Sequence, residues 1–203
     1  MIFGKNDYLE TEKTFFDMPG GEIIFGIMAG IGLAAATGFR IFLPLFALSM
    51  AAHSGFISLN EGFAWVGSTV ALVILGVATV VEILAYLVPW VDHLLDVVAV
   101  PLAGIAGTLV VASTLTGTDP AVTWALALIA GGGTATAVQT STSAARAVST
   151  ATTGGAGNPF FSAGESFMSA VFSILAFALP VLGIVLLAVV GWISYKVIKK
   201  VRN

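Results

Sequence analysis

Apolar residues in this chain come in long continuous runs, and glycine and proline mark the breaks between them. The first run covers residues 22–52, longer than the roughly 20 residues of helix that a bilayer requires. Gly26, Gly30, Ala34 and Gly38 recur in it at every fourth position. Such a stripe lets another helix approach closely, inside the fold or in an oligomer. Gly38-Phe39-Arg40 and Pro44 interrupt the run. A kink or break is expected there, because proline removes a backbone bond and clashes with the preceding turn.

A loop over 51–62 leads to a second span, 63–89, which contains Glu82. Trp65 near one end and Tyr86 with Trp90 near the other match interfacial aromatic belts. Residues 91–114 form a third segment, read as a short span or a re-entrant hairpin, with Pro101 inside and Ala99, Ala103 and Gly107 at four-residue spacing. Asp119-Pro120 then predicts a helix start, the acid as N-cap and the proline at the first helical position.

The helix so opened changes character after Ile129. From 130 to 159 there is no aromatic residue, Leu or Ile, and ten of the twenty residues 134–153 are Ser or Thr. Such a helix gains nothing by facing lipid, so it is expected at the centre of the bundle. Gly154-Gly155-Ala156-Gly157-Asn158-Pro159 ends it as a turn, and 160–197 forms the last segment, with Glu165 near its start and Pro180 in its middle.

These runs predict an all-α polytopic membrane helix bundle of four to five spans with broken or re-entrant helices. Residues 1–21 mix Phe3, Tyr8, Phe15 and Phe16 with charges, as an interfacial amphipathic segment does. Residues 22–197 form one integral-membrane domain, and 198–203 a basic tail. Lys196, Lys199, Lys200 and Arg202 put the C-terminus in the cytoplasm by the positive-inside rule. The side on which the N-terminus lies depends on whether the third segment spans or re-enters.

Composition agrees with the pattern. The 203 residues are 58% hydrophobic and 9% charged, against about a quarter charged in a soluble domain. A net charge of −3 offers no basic stripe for nucleic acid. The absence of Cys excludes disulfides, iron–sulfur clusters and thiol nucleophiles. No cleaved signal peptide is visible, since no basic n-region runs straight into an apolar stretch. A β-barrel would alternate polarity, and this chain does not.

The candidate chemistry lies in the charges within or beside apolar runs: Arg40, Glu82, Asp92, Asp96, Arg146 and Glu165. Each costs at least about 2.5–3.5 kcal/mol at mid-bilayer, so pairing is expected, for example Arg40 with Glu82 and Arg146 with Glu165. Such pairs either act as a polar gate or ion and proton relay, or simply fix helix register. Asp92 and Asp96 share a helix face beside His93. That is too few convergent ligands for a metal site, and it suits a helix cap with an acid in the first turn. His53 is expected exposed in its loop. A polar lining is expected from Thr134, Thr136, Gln139, Thr140, Ser143, Ser149, Thr150, Thr153 and Asn158, with tight small-residue packing as the alternative. No Gly-x-Ser-x-Gly, His-Glu-x-x-His or P-loop string occurs, so no enzymatic activity is expected. A loose echo between 29–40 and 130–146, each followed by a Glu on the next helix, hints at an inverted repeat of the kind transporters use.

Several strings together resemble one uncharacterised bacterial integral-membrane family, a domain of unknown function. They are Gly38-Phe39-Arg40-Ile41-Phe42-Leu43-Pro44, Glu61-Gly62-Phe63-Ala64-Trp65-Val66-Gly67-Ser68, and Val88-Pro89-Trp90-Val91-Asp92-His93-Leu94-Leu95-Asp96. The fourth and most specific runs from Arg146 through Thr152-Thr153-Gly154-Gly155 and Asn158-Pro159 to Ser162 and Glu165. The resemblance covers roughly 25–190 and implies a bacterial inner-membrane protein, with no substrate attached. Two departures from the family pattern are Ser166, where an acid is expected, and the lack of an acid near Ala85-Tyr86. Residues 1–21 lie outside the pattern.

Three functional readings emerge. The first is a small transporter or channel-like protein moving a small solute or ion past the polar helix. The second is a non-catalytic accessory or scaffold subunit of a homo-oligomer or larger membrane complex. The third is a binder of lipid or pigment between helices. The expected partners are the lipid bilayer and other copies or subunits, not nucleic acid. The cofactor, if there is one, stays unknown.

Overall fold

The structure, a computed structural model, describes residues 21–86 and 88–178, together with positions 189, 192, 196 and 199. The interfacial segment expected over 1–21 lies outside the described residues apart from Gly21, and the basic tail lies outside them apart from position 199.

Every regular element among the described residues is helical. In chain order they are α1 (Gly21–Thr37), α2 (Phe42–His53), a 3-10 helix (Glu61–Gly67), α3 (Thr69–Ala85), α4 (Pro89–Thr114) and α5 (Pro120–Leu126). A π-helical turn (Ala127–Gly132), α6 (Gly133–Thr153) and α7 (Asn158–Ala178) complete them. The break expected near Arg40 is present, between α1 and α2, with Pro44 in the first turn of α2 rather than at the break. Residues 89–114 form one continuous helix, so the chain does not turn back there as a hairpin. Asp119 caps α5 by accepting from Ala121 and Val122 N–H, with Pro120 at the first position. Gly154 ends α6 at φ 64°, a left-handed conformation that favours glycine, and Gly155 follows at φ 89°.

Among the described residues, two stretches are long and apolar enough to cross a bilayer, Pro120–Thr153 and Asn158–Ala178. The 3-10 helix and α3, bent by 66° at Ser68, make a third if the pair is one span. The first apolar run is instead divided into two short helices by its break.

The distribution of side chains is inside-out. α3 turns Val70, Val73, Ile74, Val77, Val80, Val81 and Leu84 outward, and buries Ala71, Thr79 and Glu82. α7 exposes Phe160, Phe167 and Ile174 at 81%, 68% and 65%, and buries Asn158, Ser162, Glu165, Ser169 and Ser173. A water-soluble helix does the opposite. With its long apolar helices, this identifies a membrane protein that buries polar side chains beside its apolar core.

Small residues set how closely the helices pack. α1 packs against α4, α7, α6 and α2, and its Ala29, Leu33, Ala34, Ala35 and Ala36 are all but inaccessible. The stripe Gly26–Gly30–Ala34–Gly38 is therefore internal and does not serve an oligomer. A Cβ on Gly26 would lie 2.5 Å from the Thr114 carbonyl oxygen, and one on Gly38 would lie 2.5 Å from Val138 Cβ. The apolar core gathers Leu33, Leu48, Val66, Val110 and Ala176 across the helices.

It is α1, not α6, that occupies the middle of the bundle. α6 buries Ala135, Gln139, Arg146 and Ser149 and leaves Ala137, Thr140, Ser141, Ala144, Ala145 and Val148 open. The outward hydroxyls need no central position, because they bond their own helix. Thr140 donates to Thr136 O, Ser141 to Ala137 O and Thr152 to Val148 O.

Candidate functional site: a buried arginine–glutamate cluster at two helix breaks

The site begins with the break after α1. Gly38 N–H still bonds back to Ala34 and Ala35, and Arg40 N–H to Ala36, so the chain leaves the helix in a single tight turn. α2 then starts with Ile41 at its N-cap, a residue with no side chain able to satisfy the free N–H groups of a helix start. Glu82, 41 residues further on, supplies what is missing. Its Oε1 accepts from Ile41 N–H at 2.8 Å and its Oε2 from Phe42 N–H at 3.0 Å. A carboxylate there also meets the positive end of the helix dipole. The expected ion pair of Arg40 with Glu82 is thus corrected: Glu82 is the long-range cap of α2.

Arg40 points instead to α7. Its Nε donates to Ser166 Oγ at 3.0 Å, and its Nη2 to Ser162 O at 2.8 Å and to Ser162 Oγ at 2.5 Å. The same Nη2 lies 3.7 Å from Glu165 Oε2. From α6, Arg146 Nε comes within 3.2 Å of Glu165 Oε1, the pairing expected from sequence. One carboxylate therefore serves two guanidinium groups, and both arginines are 1% exposed.

Tyr86 completes the cluster. The Arg40 guanidinium carbon lies 4.0 Å from its ring centroid and that of Arg146 lies 4.7 Å away. A desolvated cation over an aromatic face is worth about 2 kcal/mol or more. Expected in an interfacial belt, Tyr86 is in fact 5% exposed. Its spacing from Glu82 is the signal in the sequence, since residues four apart share a helix face. Ser162, one turn before Glu165, is legible in the same way, and Ser166 lies one turn after Ser162.

The expected polar lining separates into three groups. Gln139, Ser149 and Asn158 are buried, Thr134, Thr136, Ser143 and Thr150 half-buried, and Thr140 and Thr153 exposed. The α6–α7 turn is pinned by Asn158 Nδ2 donating to Thr150 Oγ1 at 3.0 Å, and Gln139 Nε2 donates to Ser143 Oγ at 3.2 Å. A polar seam thus follows the inner edges of α6 and α7, with the charge cluster across it.

Asp92 and Asp96 both fall on α4, whose N-cap is Val88. Asp92 is therefore inside the helix and is not its cap, and both side chains lie outside the described residues. His53 is exposed as expected but tied down, with Nδ1 2.9 Å from Gly67 O. Among the described residues no three His, Asp or Glu side chains converge as a metal site.

A family model described as a domain of unknown function (DUF4126) matches residues 27–200. The chain belongs to this family. No curated protein and no solved structure matches it. The stretch shared with DUF4126 takes in both helix breaks and Arg40, Glu82, Tyr86, Arg146 and Glu165. Residues 1–26 precede the match.

The cap makes a direct prediction. Glu82→Ala is expected to cost about 1.5–3 kcal/mol, the value of hydrogen bonds to a charged partner. In detergent this should appear as a lower unfolding midpoint with faster hydrogen exchange at the Ile41 and Phe42 amides. Unchanged exchange at those two amides would show that Glu82 does not hold them.

Proposed function

We propose that the protein is a small transporter or channel-like protein of the bacterial inner membrane, its C-terminus cytoplasmic. A small solute or ion passes along the α6–α7 seam, and the Arg40–Glu165–Arg146 cluster is its gate. The observation that carries this reading is the clamp itself. Arg40 and Arg146 belong to different helical units, and a carboxylate on a third unit closes both against Tyr86. A static pair would need one arginine. A carboxylate shared between two arms can be released by one arm at a time, which suits a gate better than a proton relay.

Single cysteines test this directly, because the chain has no native Cys. Thiol labelling needs the thiolate, hence water. With a membrane-impermeant maleimide, cysteines at Ser149, Thr150 and Asn158 should label from the turn side, while those at Thr136, Gln139 and Ser143 stay protected. In a Glu165→Gln background the labelling should extend past Arg146 to Ser143 and Gln139. Protection of the whole seam in both backgrounds would mean a dry, packed core and would remove the transport reading.

The accessory or scaffold reading, including a homo-oligomer, is favoured by one observation. The open face of α6 carries Ala137, Ser141, Ala144 and Val148, side chains too small to gain much from acyl chains and suited to close helix contact. Cysteines at Ala144 or Val148 that cross-link two copies in native membranes would support it. Monomeric behaviour at both positions would count against it.

A further inference from the structure

At the end of the bundle away from the charge cluster, a cavity of about 180 Å³ lies between the start of α1, the loop after α2, the end of α4 and Phe177 of α7. From Gly26 at the cavity to Thr37 at the break is eleven residues, about 16 Å of helix. The two sites are separate, and the cavity is independent of the transport reading.

The cavity walls decide what it accepts. Phe25, Phe56 and Phe177 supply aromatic surface, and Ala29 and Ile57 aliphatic surface. Phe56 and Phe177 meet edge to face, with ring centroids 6.4 Å apart. Gly26 forms part of the wall with its hydrogen-bonding already engaged, since Thr114 Oγ1 donates to Gly26 O at 3.0 Å. That leaves Ser58 and Thr116 as the hydroxyls at the cavity not spent on closing helices. No charged side chain is among the described lining residues. The volume exceeds the roughly 150 Å³ of an apolar cavity that admits benzene.

The level of the opening is fixed by its surroundings. Trp65 and Trp124 are 64% and 51% exposed at this end, beside Glu61 and Asp119, which are also exposed. Exposed tryptophans next to charges mark the membrane–water boundary. The loop is held there by Asn60, which donates from its N–H to Ser113 O and from Nδ2 to Leu115 O.

From this we infer that the cavity is a binding site for a segment of one hydrocarbon chain, about as large as a benzene ring, of a lipid bearing a hydroxyl or ester group. The tail enters among the three phenylalanines, and the polar group remains at the boundary against Ser58 and Thr116. Ser58 and Thr116 can each donate a hydrogen bond to a hydroxyl or ester oxygen. The chemistry is that of a monoacylglycerol.

The test uses the full chain in phosphatidylcholine vesicles and a monoacylglycerol carrying a diazirine in its acyl chain. Photolysis followed by peptide mapping should place saturable cross-links on the segments holding Phe25, Phe56 and Phe177, displaced by unlabelled monoacylglycerol. Ala29→Phe, which fills the cavity, should lower that signal at least fivefold. Ser58→Phe closes the mouth from an exposed loop position and should do the same without burdening the core. Cross-links spread over Val73, Val77 and Val80 of α3, with no enrichment at the cavity, would mean bulk lipid only and overturn the site. Absence of cavity labelling in the unaltered chain would overturn it equally.

Discussion

Glu165→Ala is expected to destabilise the protein by about 3–5 kcal/mol, the usual consequence of removing one partner from a buried ion pair. Two guanidiniums, each 1% exposed, would then sit side by side over Tyr86 without the carboxylate they share. At about 2–4 °C per kcal/mol for a chain of this length, the unfolding midpoint in detergent should fall by roughly 6–20 °C. Taking away a competing positive charge as well should return part of the loss. Glu165→Ala combined with Arg146→Met is therefore expected to be more stable than Glu165→Ala alone, since neighbours in one network are not additive. A drop below about 1 kcal/mol for the single variant, typical of an exposed pair, would show the cluster to be wet and energetically idle.

Two glycines, two residues apart, should respond with opposite signs. A Cβ on Gly131 would collide with the Gly107 carbonyl oxygen and stand 2.7 Å from Val111 Cγ2. The first obstacle is backbone and cannot rotate away. Gly131→Ala is thus expected to cost about 1–3 kcal/mol through overpacking. Gly133 has φ −61° and ψ −48°, ordinary helix, and an added Cβ would meet nothing within 4 Å. Gly133→Ala should stabilise by about 0.5–1 kcal/mol, because glycine loses more chain entropy on folding than alanine. Thermal or denaturant midpoints of the two variants on opposite sides of the parent would verify the contact between α4 and the π-helical turn. Equal shifts would refute it.

The sequence is most readable where local rules act alone. Asp119-Pro120 opens α5 and Gly154 ends α6, both by capping and turn chemistry confined to a few residues. The π-helical turn over Ala127–Gly132 has no such signal. Its extra residue per turn leaves no compositional mark, and it serves to bring Gly131 and Gly132 against α4. The surroundings of Glu82 and Tyr86 differ from those expected for a related reason. A carboxylate in an apolar run signals only that it needs positive charge, which a helix N-terminus can supply as well as an arginine. Arg146 with Glu165 is legible because two neighbouring helices joined by a short turn have few other ways to meet. The location of α6 is not, because Ser and Thr count as polar by composition, yet bonded to their own backbone they present little unmet polarity.

The cap on α2 also bears on how the chain is made. Ile41 and Phe42 wait for a carboxylate 41 and 40 residues downstream, and Arg40 waits for Ser162, 122 residues downstream. At about 5–20 residues per second, Arg40 has emerged roughly 6–24 s before its partner exists. Over that interval an open helix start and a lone guanidinium have no place in hydrocarbon. Burying the break in hydrocarbon is therefore costly until α3 has supplied the carboxylate and α7 the partners of Arg40.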